Sequence, residues 1–247
     1  MINSKISIVM SCYNEKQSYL ELSVQSILDQ SHTNFEFIII NDSTSNENLI
    51  YLNHVASIDS RVKIINNSKR VGLAKSLNKA ISYSDGDYIL RMDTDDISFK
   101  DRIKYQLDFM VNNPKIDVAG SNAKYINESG EKIKNVKMIL NSNIYLNTMV
   151  IHLSVIGKKS FFLKNKYDPR LIRCQDFELW IRTYKKFNIT NIDKYLISYR
   201  VKKKTFKQKL ESYMYTIRII FRHSIKNNLF DGIFAIVYRT GHLILRK

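Results

Sequence analysis

The sequence predicts an α/β fold in which helices flank a mostly parallel β-sheet. In the first half of the chain, short and almost unbroken apolar runs alternate with stretches whose apolar residues recur at helical spacing. Unbroken apolar runs are typical of parallel strands that are covered by helices on both faces. The chain has 247 residues, of which 44% are hydrophobic, and this is enough to bury a sizeable core.

Four strands and four helices are predicted in the first half. The apolar runs that mark the strands are residues 6–10, 35–40, 62–65 and 88–92. The residues at helical spacing after each run, in turn, are Leu20, Val24, Ile27 and Leu28; Leu49, Leu52 and Val55; Leu73, Leu77, Ala80 and Ile81; and Ile103, Leu107 and Met110. In a parallel sheet of this kind, ligands bind at the carboxyl ends of the strands.

The second half of the chain is less regular. It predicts a strand over residues 118–126, a turn over 127–130, a helix over 174–187 and an extended segment over 189–201. A basic and aromatic helical tail, residues 206–247, follows three consecutive lysines. No internal repeat is found.

Charge and cysteine content restrict the class of partner and the compartment. The 39 Lys and Arg residues against 23 Asp and Glu residues give a net charge of +16, which points to nucleic acid, a phospholipid surface or phosphorylated substrates. Cys12 and Cys174 lack metal-type spacing and are predicted to be free thiols in a reducing cytosol. Neither a signal peptide nor a membrane-spanning helix, which needs about 20 mostly apolar residues, is expected.

Polar residues follow three of the predicted strands. Tyr13 and Glu15 come after the first strand, Asp42 after the second, and Asp93 and Asp95 after the fourth. If these strands are parallel neighbours, the three points meet at one edge of the sheet. An aromatic ring there can stack on a base, and a carboxylate can accept hydrogen bonds from a base N–H or a ribose hydroxyl.

The closely spaced aspartates at residues 93–96 predict a metal site. Asp93 and Asp95 are two residues apart, so they face the same way in an extended backbone. Two carboxylates suit Mg²⁺ or Mn²⁺, which take their other ligands from water and substrate phosphates. The alternative is an aspartate-rich turn in which Asp96 caps the next helix.

The ordered set of motifs resembles glycosyltransferase family 2, an inverting family with the GT-A fold. The matching segments are residues 7–15, Asn41-Asp42, 72–81, 86–96, Asp101-Arg102, 152–155 and 175–180. They cover most of residues 5–201 in the right order. The resemblance implies a GT-A-type, Rossmann-like sheet flanked by helices.

The resemblance also implies roles for individual residues. Tyr13, Glu15 and Asp42 would hold the nucleobase and ribose. Asp93 and Asp95 would be the Asp-x-Asp pair that binds Mn²⁺ or Mg²⁺, with Asp95 preferred as the direct ligand. The remaining assignments are Asp176 as general base, His152 near the acceptor or diphosphate, and Arg70 and Lys75 as diphosphate contacts. Lys202 departs from the family, whose members often have His at that position.

Simpler interpretations stay open for several of these residues. Asp176 could be a helix N-cap, His152 a structural histidine, and Lys75 a solvated helix charge. A phosphohydrolase that uses Asp93 as nucleophile and Asp95 as acid is the alternative enzyme class, although that class has its aspartate pair after the first strand. A nucleic-acid binder is not expected, because no recognition motif accompanies the charge.

The tail predicts contact with a membrane surface. Met214, Ile217 and Phe221 share one helical face, and Arg218 and Arg222 share another. A basic amphipathic helix beside an apolar one suits the interface of an anionic leaflet. The alternative is a tail that packs on the core with its charges in water.

By resemblance, the predicted function is transfer of a hexose from a UDP-sugar to a sugar acceptor hydroxyl. The acceptor is expected to be linked to a lipid diphosphate, in O-antigen or capsule assembly. The predicted location is cytoplasmic, at the inner face of the cell membrane. Residues 1–112 are expected to bind the nucleotide sugar, residues 113–205 the acceptor, and residues 206–247 the membrane.

Overall fold

The structure, a computed structural model, describes residues 4–138, 144–146, 149–227 and 229–245. The strands and helices predicted in the first half are confirmed. The strands are β1 (Ile6–Cys12), β2 (Phe35–Asn41), β3 (Val62–Asn66) and β4 (Tyr88–Arg91). The helices are α1 (Gln17–Leu28), α2 (Asn46–Ile58), α3 (Leu73–Tyr83) and α4 (Arg102–Asn112). A two-residue strand, β5 (Ile97–Ser98), lies between β4 and α4.

The second half adds elements that the sequence did not predict. Its strands are β6 (Val118–Ile126), β7 (Lys132–Val136), β8 (Ile156–Lys158) and β9 (Ile189–Arg200). Its helices are α5 (Lys159–Lys164), α6 (Gln175–Thr183), α7 (Phe206–Asn227) and α8 (Leu229–Leu245), with a single 3-10 turn at His152–Ser154. Of these, β7, β8 and α5 were not predicted. Helix α6 ends at Thr183, short of residue 187, and a turn follows in which the Thr183 carbonyl accepts the N–H groups of both Lys186 and Phe187.

The described strands form one sheet in the order β3-β2-β1-β4-β8-β6-β9-β5, with β7 pairing with β6. The first four strands are parallel, as predicted. Strand β8 runs antiparallel to both β4 and β6, and β9 runs parallel to β6. The predicted α/β class is therefore confirmed, with a parallel first half and a mixed second half. The functional division at residues 112 and 113 stays a prediction.

Two apolar cores lie on opposite faces of the sheet. In β1, Val9 belongs to one core and Ile8 and Met10 to the other, because successive side chains on a strand point to opposite faces. Helices α3 and α6 pack against the first core, and α1, α2 and α4 against the second. Coverage of both faces explains why the central strands are almost entirely apolar.

The tail packs on the rest of the protein through one side only. Ile219, Ile220 and Ala235 are buried in the first core. Arg239 donates hydrogen bonds to the carbonyls of Tyr145 and Leu146, at 2.8 Å each. Residues 228, 246 and 247 of the predicted tail lie outside the described residues. No helix in the described part of the chain is both long and apolar enough to cross a bilayer.

Candidate active site

The carboxyl ends of β2, β1 and β4 meet at one edge of the sheet. They do so because β1 lies between the other two strands, with Cys12 paired with Asn41. Asn14 connects the first two strand ends: its Oδ1 accepts hydrogen bonds from Ser43 Oγ at 2.7 Å and from Thr44 N at 3.0 Å. Its φ of 44° is a left-handed conformation, which asparagine tolerates better than most residues. The predicted convergence is therefore confirmed.

A cleft of about 290 Å³ opens beside these strand ends, and we call it the first cleft. Its lining includes Tyr13, Asp42, Arg70, Thr94 and Gln175. The Tyr13 side chain is among the exposed aromatic groups, and the guanidinium of Arg70 lies over its ring, 4.0 Å from the ring centroid. Two residues predicted to contact the nucleotide are thus in contact with each other.

Asp42 is buried and organises the loop that forms one wall of the first cleft. Its carboxylate accepts hydrogen bonds from Asn67 Nδ2 at 2.9 Å, Val71 N at 2.8 Å and Gly72 N at 2.8 Å. Gly72 has a φ of 87°, which L side chains rarely adopt, and it immediately precedes α3. Through these bonds Asp42 fixes the backbone of the loop that carries Arg70.

Two carboxylates at the end of β4, those of Asp93 and Asp95, are each paired with a cation. Asp93 Oδ1 lies 2.6 Å from Nη2 of Arg91, whose side chain is only 2% exposed. Asp95 Oδ2 lies 2.9 Å from Nζ of Lys202. Lys202 Nζ also donates hydrogen bonds to Glu15, at 2.9 Å and 3.0 Å from its two oxygens. The structure thus brings Glu15, Asp93 and Asp95 to one edge, as predicted, and adds Arg91 and Lys202.

Asp96 has a different role from its neighbours. It is buried, and its Oδ1 accepts a hydrogen bond from the backbone N of Arg200 at 2.5 Å. Asp101, five residues later, occupies the N-cap position of α4, so the interpretation of Asp96 as a helix cap was wrong. Burial, together with the charges of Asp95 and Asp93, holds the pKa of Asp96 well above its ordinary value. Burial and Asp93 likewise raise the pKa of Asp95.

The Asp93 and Asp95 pair suits a divalent metal ion in its chemistry. No group of three or more His, Cys, Asp or Glu side chains in the described part of the chain forms a metal cluster. Two carboxylates with further positions supplied by water and substrate phosphate are nevertheless the usual environment of Mg²⁺. The donor set therefore fits an ion that arrives with a phosphorylated ligand, and such an ion would compete with Lys202 for Asp95.

A second cleft adjoins the first and contains the remaining predicted groups. Its lining includes Arg91, Asp93, His152 and Asp176, and it shares Leu73 and Gln175 with the first cleft. Asp176 is the second residue of α6, whose N-cap is Cys174 in a left-handed conformation with φ 59°. The interpretation of Asp176 as the N-cap was therefore wrong.

In the second cleft, burial shifts the pKa of Asp176 and the pKa of His152 in opposite directions. Burial raises the pKa of Asp176, while the backbone N–H groups of the first helical turn and the cation of Arg91 oppose that rise. Burial and Arg91 lower the pKa of His152 well below its ordinary value, so the imidazole is neutral at physiological pH. His152 Nε2 lies 2.9 Å from the hydroxyl of Tyr167, and its ring meets Trp180 edge-on.

A family model for glycosyl transferase family 2 matches residues 7–188, which is most of the chain. The chain belongs to this family. An uncharacterized glycosyltransferase of Methanocaldococcus jannaschii is 34% identical over 229 residues, which cover 86% of this chain and 78% of that protein. WbnJ of Escherichia coli, an O-antigen biosynthesis glycosyltransferase, is 28% identical over 242 residues, which cover 94% of both chains.

The fold of this glycosyltransferase resembles that of S. aureus TarS. The crystal structure of TarS residues 1–349 in complex with UDP has a TM-score of 0.66 and 19% sequence identity to this chain. The match covers 88% of this chain and 65% of that one. Likeness at this identity supports the GT-A fold that the resemblance implied.

One predicted site residue lies apart from the others in this family member. Lys75 is exposed on α3 and is not part of the lining of either cleft. Conversely, Arg91, Gln175, Tyr125 and Tyr199 line the second cleft and were not predicted as site residues. Only Arg91 left a signal in the sequence, because a charged residue within an apolar strand run is unusual unless it is paired.

Proposed function

We propose that the chain transfers a hexose from a UDP-sugar to a hydroxyl of a lipid-diphosphate-linked sugar acceptor, with inversion at the transferred carbon. The observation that carries the proposal is the arrangement of two adjoining clefts around one edge of the sheet. The first cleft has an aromatic ring and a buried aspartate, and the second has a partly buried carboxylate at a helix start. The Asp93 and Asp95 pair lies at the same edge.

The first cleft is assigned to the nucleotide. Tyr13 offers a ring face for a base, and Arg70, now on that face, is a flexible cation that can move to a phosphate. TarS, whose fold this chain resembles, has been crystallised with UDP and with UDP-GlcNAc. These complexes favour a UDP-sugar as the donor here.

The leaving diphosphate is assigned to the end of β4. Asp93 and Asp95 would hold Mn²⁺ or Mg²⁺, and the bound ion would act as a Lewis acid that stabilises the negative charge of the leaving group. Arg91 fixes the Asp93 carboxylate in place through its 2.6 Å ion pair. Asp95 is the preferred direct ligand.

Asp176 is assigned as the general base. An inverting transfer needs one carboxylate that removes the proton from the attacking hydroxyl on the side opposite the leaving group. A raised pKa makes the Asp176 carboxylate a stronger base than an ordinary aspartate. Neutral His152, in the same cleft, can hydrogen-bond a sugar hydroxyl without competing for the proton.

The surface of the tail supports the assignment of a lipid-linked acceptor. On α8, five large apolar side chains at helical spacing are exposed, namely Phe230, Ile233, Phe234, Val237 and Tyr238. The chain as a whole carries a net charge of +16. An exposed apolar stripe on a basic protein suits peripheral binding to an anionic leaflet, here the inner face of the cell membrane.

Polysaccharide assembly is favoured by one of the relatives. WbnJ acts in O-antigen biosynthesis, as its name states. We therefore assign the chain to surface polysaccharide assembly, with residues 1–112 for the donor, 113–205 for the acceptor and 206–247 for the membrane. The phosphohydrolase alternative has less support, because the carboxylate it would use as nucleophile, that of Asp93, is held in an ion pair with Arg91.

The experiment that tests the proposal is UDP release from a panel of UDP-hexoses, with a lipid-diphosphate-linked monosaccharide acceptor and either Mn²⁺ or EDTA. Acceptor-dependent release that EDTA abolishes is expected, and NMR of the product should show the inverted anomer. The control is Asp193→Asn, a change to an exposed carboxylate on β9. Release from no donor, or release that is independent of acceptor, contradicts the proposal.

A further inference from the structure

A third cleft, of about 400 Å³, lies outside the two clefts of the candidate active site. It is formed by the segment that precedes α6, by α6 itself and by α7. Its charged lining residues are Lys166, Asp168, Arg170, Glu178, Arg182 and Arg222. Four cations therefore face two carboxylates around one opening.

The two carboxylates are already occupied by two of the arginines. Arg170 binds Asp168 through two nitrogens, with Nε 2.9 Å from Oδ1 and Nη2 2.7 Å from Oδ2. Arg182 binds Glu178 in the same manner, with Nε 2.8 Å from Oε1 and Nη2 3.2 Å from Oε2. These pairs fix the shape of the cleft wall, because forked arginine–carboxylate pairs restrict both partners.

Two positive charges are left over. Within the described part of the chain, neither Lys166 nor Arg222 lies within ion-pair distance of a carboxylate, although the charge of Arg222 contributes to the lowered pKa of Asp168. The cleft thus presents a surplus charge of about two, which matches the charge of a diphosphate diester. A guanidinium and an ammonium facing one opening are the groups that proteins use to bind phosphate oxygens.

The third cleft is bordered by the tail and by residues that adjoin the active site. Tyr167 lines it and contacts His152 of the second cleft through its hydroxyl, at 2.9 Å. Pro169 lines both this cleft and the first one. Arg222 follows the exposed Phe221 on α7. A ligand held at Arg222 would therefore lie on the tail itself and in the same cleft as Tyr167, which contacts His152 of the second cleft.

We propose that the third cleft binds the diphosphate of the lipid-linked acceptor, with Lys166 and Arg222 as its direct contacts. This inference rests on the proposed function, because it assigns a location to the diphosphate of that acceptor. A diphosphate fixed there holds the lipid toward the tail and directs the attached sugar toward Asp176.

The first test is the binding of inorganic pyrophosphate, measured by calorimetry in metal-free buffer, because the donor site is expected to hold a diphosphate only with Mn²⁺ or Mg²⁺. Wild-type protein is expected to bind, and Arg222→Gln and Lys166→Gln are each expected to weaken binding about tenfold. The matched control is Arg218→Gln, which removes the same charge one turn earlier on α7, outside the cleft. No binding by the wild type, or an equal loss in the control, overturns the proposal.

The second test is sugar transfer to two soluble acceptors, one with a short-chain prenyl diphosphate and one with a neutral alkyl group. Arg222→Gln should raise the KM for the diphosphate acceptor, leave kcat and UDP affinity unchanged, and have no effect with the neutral acceptor. Equal effects on both acceptors overturn the assignment.

Two further outcomes are informative. One distinguishes a lipid headgroup from the acceptor diphosphate as the ligand of the third cleft, and the other distinguishes failure of this proposal from failure of the proposed function. Arg222→Gln and Arg218→Gln could reduce binding to phosphatidylglycerol vesicles equally and leave pyrophosphate binding intact. In that case the basic residues of α7 bind lipid headgroups, and the proposal is wrong. If pyrophosphate binding follows the expected pattern but no donor supports transfer, the anion site stands and the proposed function fails by itself.

Discussion

The ammonium of Lys202 connects Asp95 to Glu15, with Nζ 2.9 Å from a carboxylate oxygen of each residue. Burial by itself would lower the pKa of Lys202, but these two carboxylates outweigh burial and raise it. Lys202 lies two residues after the end of β9, so the ion pairs join the second half of the chain to the ends of β1 and β4. The ammonium of Lys202 therefore occupies the carboxylate of Asp95, which we assign as a metal ligand.

Replacing Lys202 with methionine is expected to strengthen Mn²⁺ binding by the nucleotide-free protein at least about tenfold. The variant removes a positive charge that competes for Asp95, and charges at such short distances interact strongly where water is partly excluded. Calorimetric titration of Mn²⁺ is the measurement. Lys203→Met is the control, since Lys203 is exposed next to it. Equal affinities for Mn²⁺ in wild type and Lys202→Met would show that the ammonium does not compete with the ion.

The Asp95→Asn variant is expected to lose metal-dependent UDP binding and to keep its fold. Asparagine preserves the size of the side chain but removes the charge that a divalent ion needs from its ligand. UDP titrations with and without Mn²⁺ measure the effect, and circular dichroism checks the fold. Asp101→Asn, at the start of α4, is the matched control. Retention of Mn²⁺-dependent UDP affinity would remove Asp95 from the metal site.

The Asp176→Asn variant is expected to lower sugar transfer by roughly 10² to 10⁴-fold, because that is the usual contribution of a positioned general base. UDP affinity should stay near that of the wild type, since Asp176 lies outside the first cleft. Transfer rates and UDP titrations are compared with those of Asp193→Asn. Transfer close to the wild-type rate would assign Asp176 a structural role, and weaker UDP binding would assign it to the donor.

The pH dependence of transfer should reflect the raised pKa of Asp176. A general base must be ionised, so kcat/KM should fall on acidification as the carboxyl becomes protonated. Because burial raises that pKa, the fall should begin at a higher pH than for an ordinary aspartate. The profile of kcat/KM against pH, corrected for the stability of the protein, is the measurement. An acidic limb at the ordinary aspartate value contradicts this expectation.

The paired change Phe234→Ser and Val237→Ser is expected to reduce binding to anionic vesicles without unfolding the protein. Both side chains are more than half exposed on α8, whereas deletion of the whole tail would remove the buried Ile219 and Ile220 from the core. Vesicle flotation is the assay. Binding by the wild type should weaken with salt, since screening acts over about 8 Å at physiological ionic strength.

The control for the tail is the paired change Ile50→Ser and Ile58→Ser, two equally large and exposed side chains on α2. If both paired variants bind vesicles alike, the stripe on α8 has no particular role at the membrane. Wild-type protein that does not float with anionic vesicles would contradict the membrane assignment altogether.

The first half of the fold could be predicted because each strand and helix there has its own periodicity. Strands β7 and β8 could not. Strand β7 is an exposed hairpin partner of β6, rich in lysine, and β8 has only three residues. Their positions depend on pairing with distant strands, and a short segment whose structure is decided by such contacts carries little local signal.

The candidate site was predictable in part for the same reason. Asp93 and Asp95 closely follow a predicted strand, so the order and direction of the parallel strands are enough to place them at the carboxyl edge of the sheet. The partners of Asp42 are different, since Val71 and Gly72 reach it through a turn with a positive φ. Lys202 could be recognised as a departure from the family, but its ion pair with Glu15 joins residues 187 positions apart, and the folded chain is needed to bring them together.

Among the residues that the structure describes, the linings of the first and second clefts share only Leu73 and Gln175. The first is built largely from loops at the ends of the parallel strands, and the second from the mixed part of the sheet and the start of α6. Mutations that reshape one cleft therefore leave most of the other unchanged. In a lineage under selection, the sugar donor and the sugar acceptor could change one at a time, and Leu73 and Gln175 are the positions at which a single substitution would alter both.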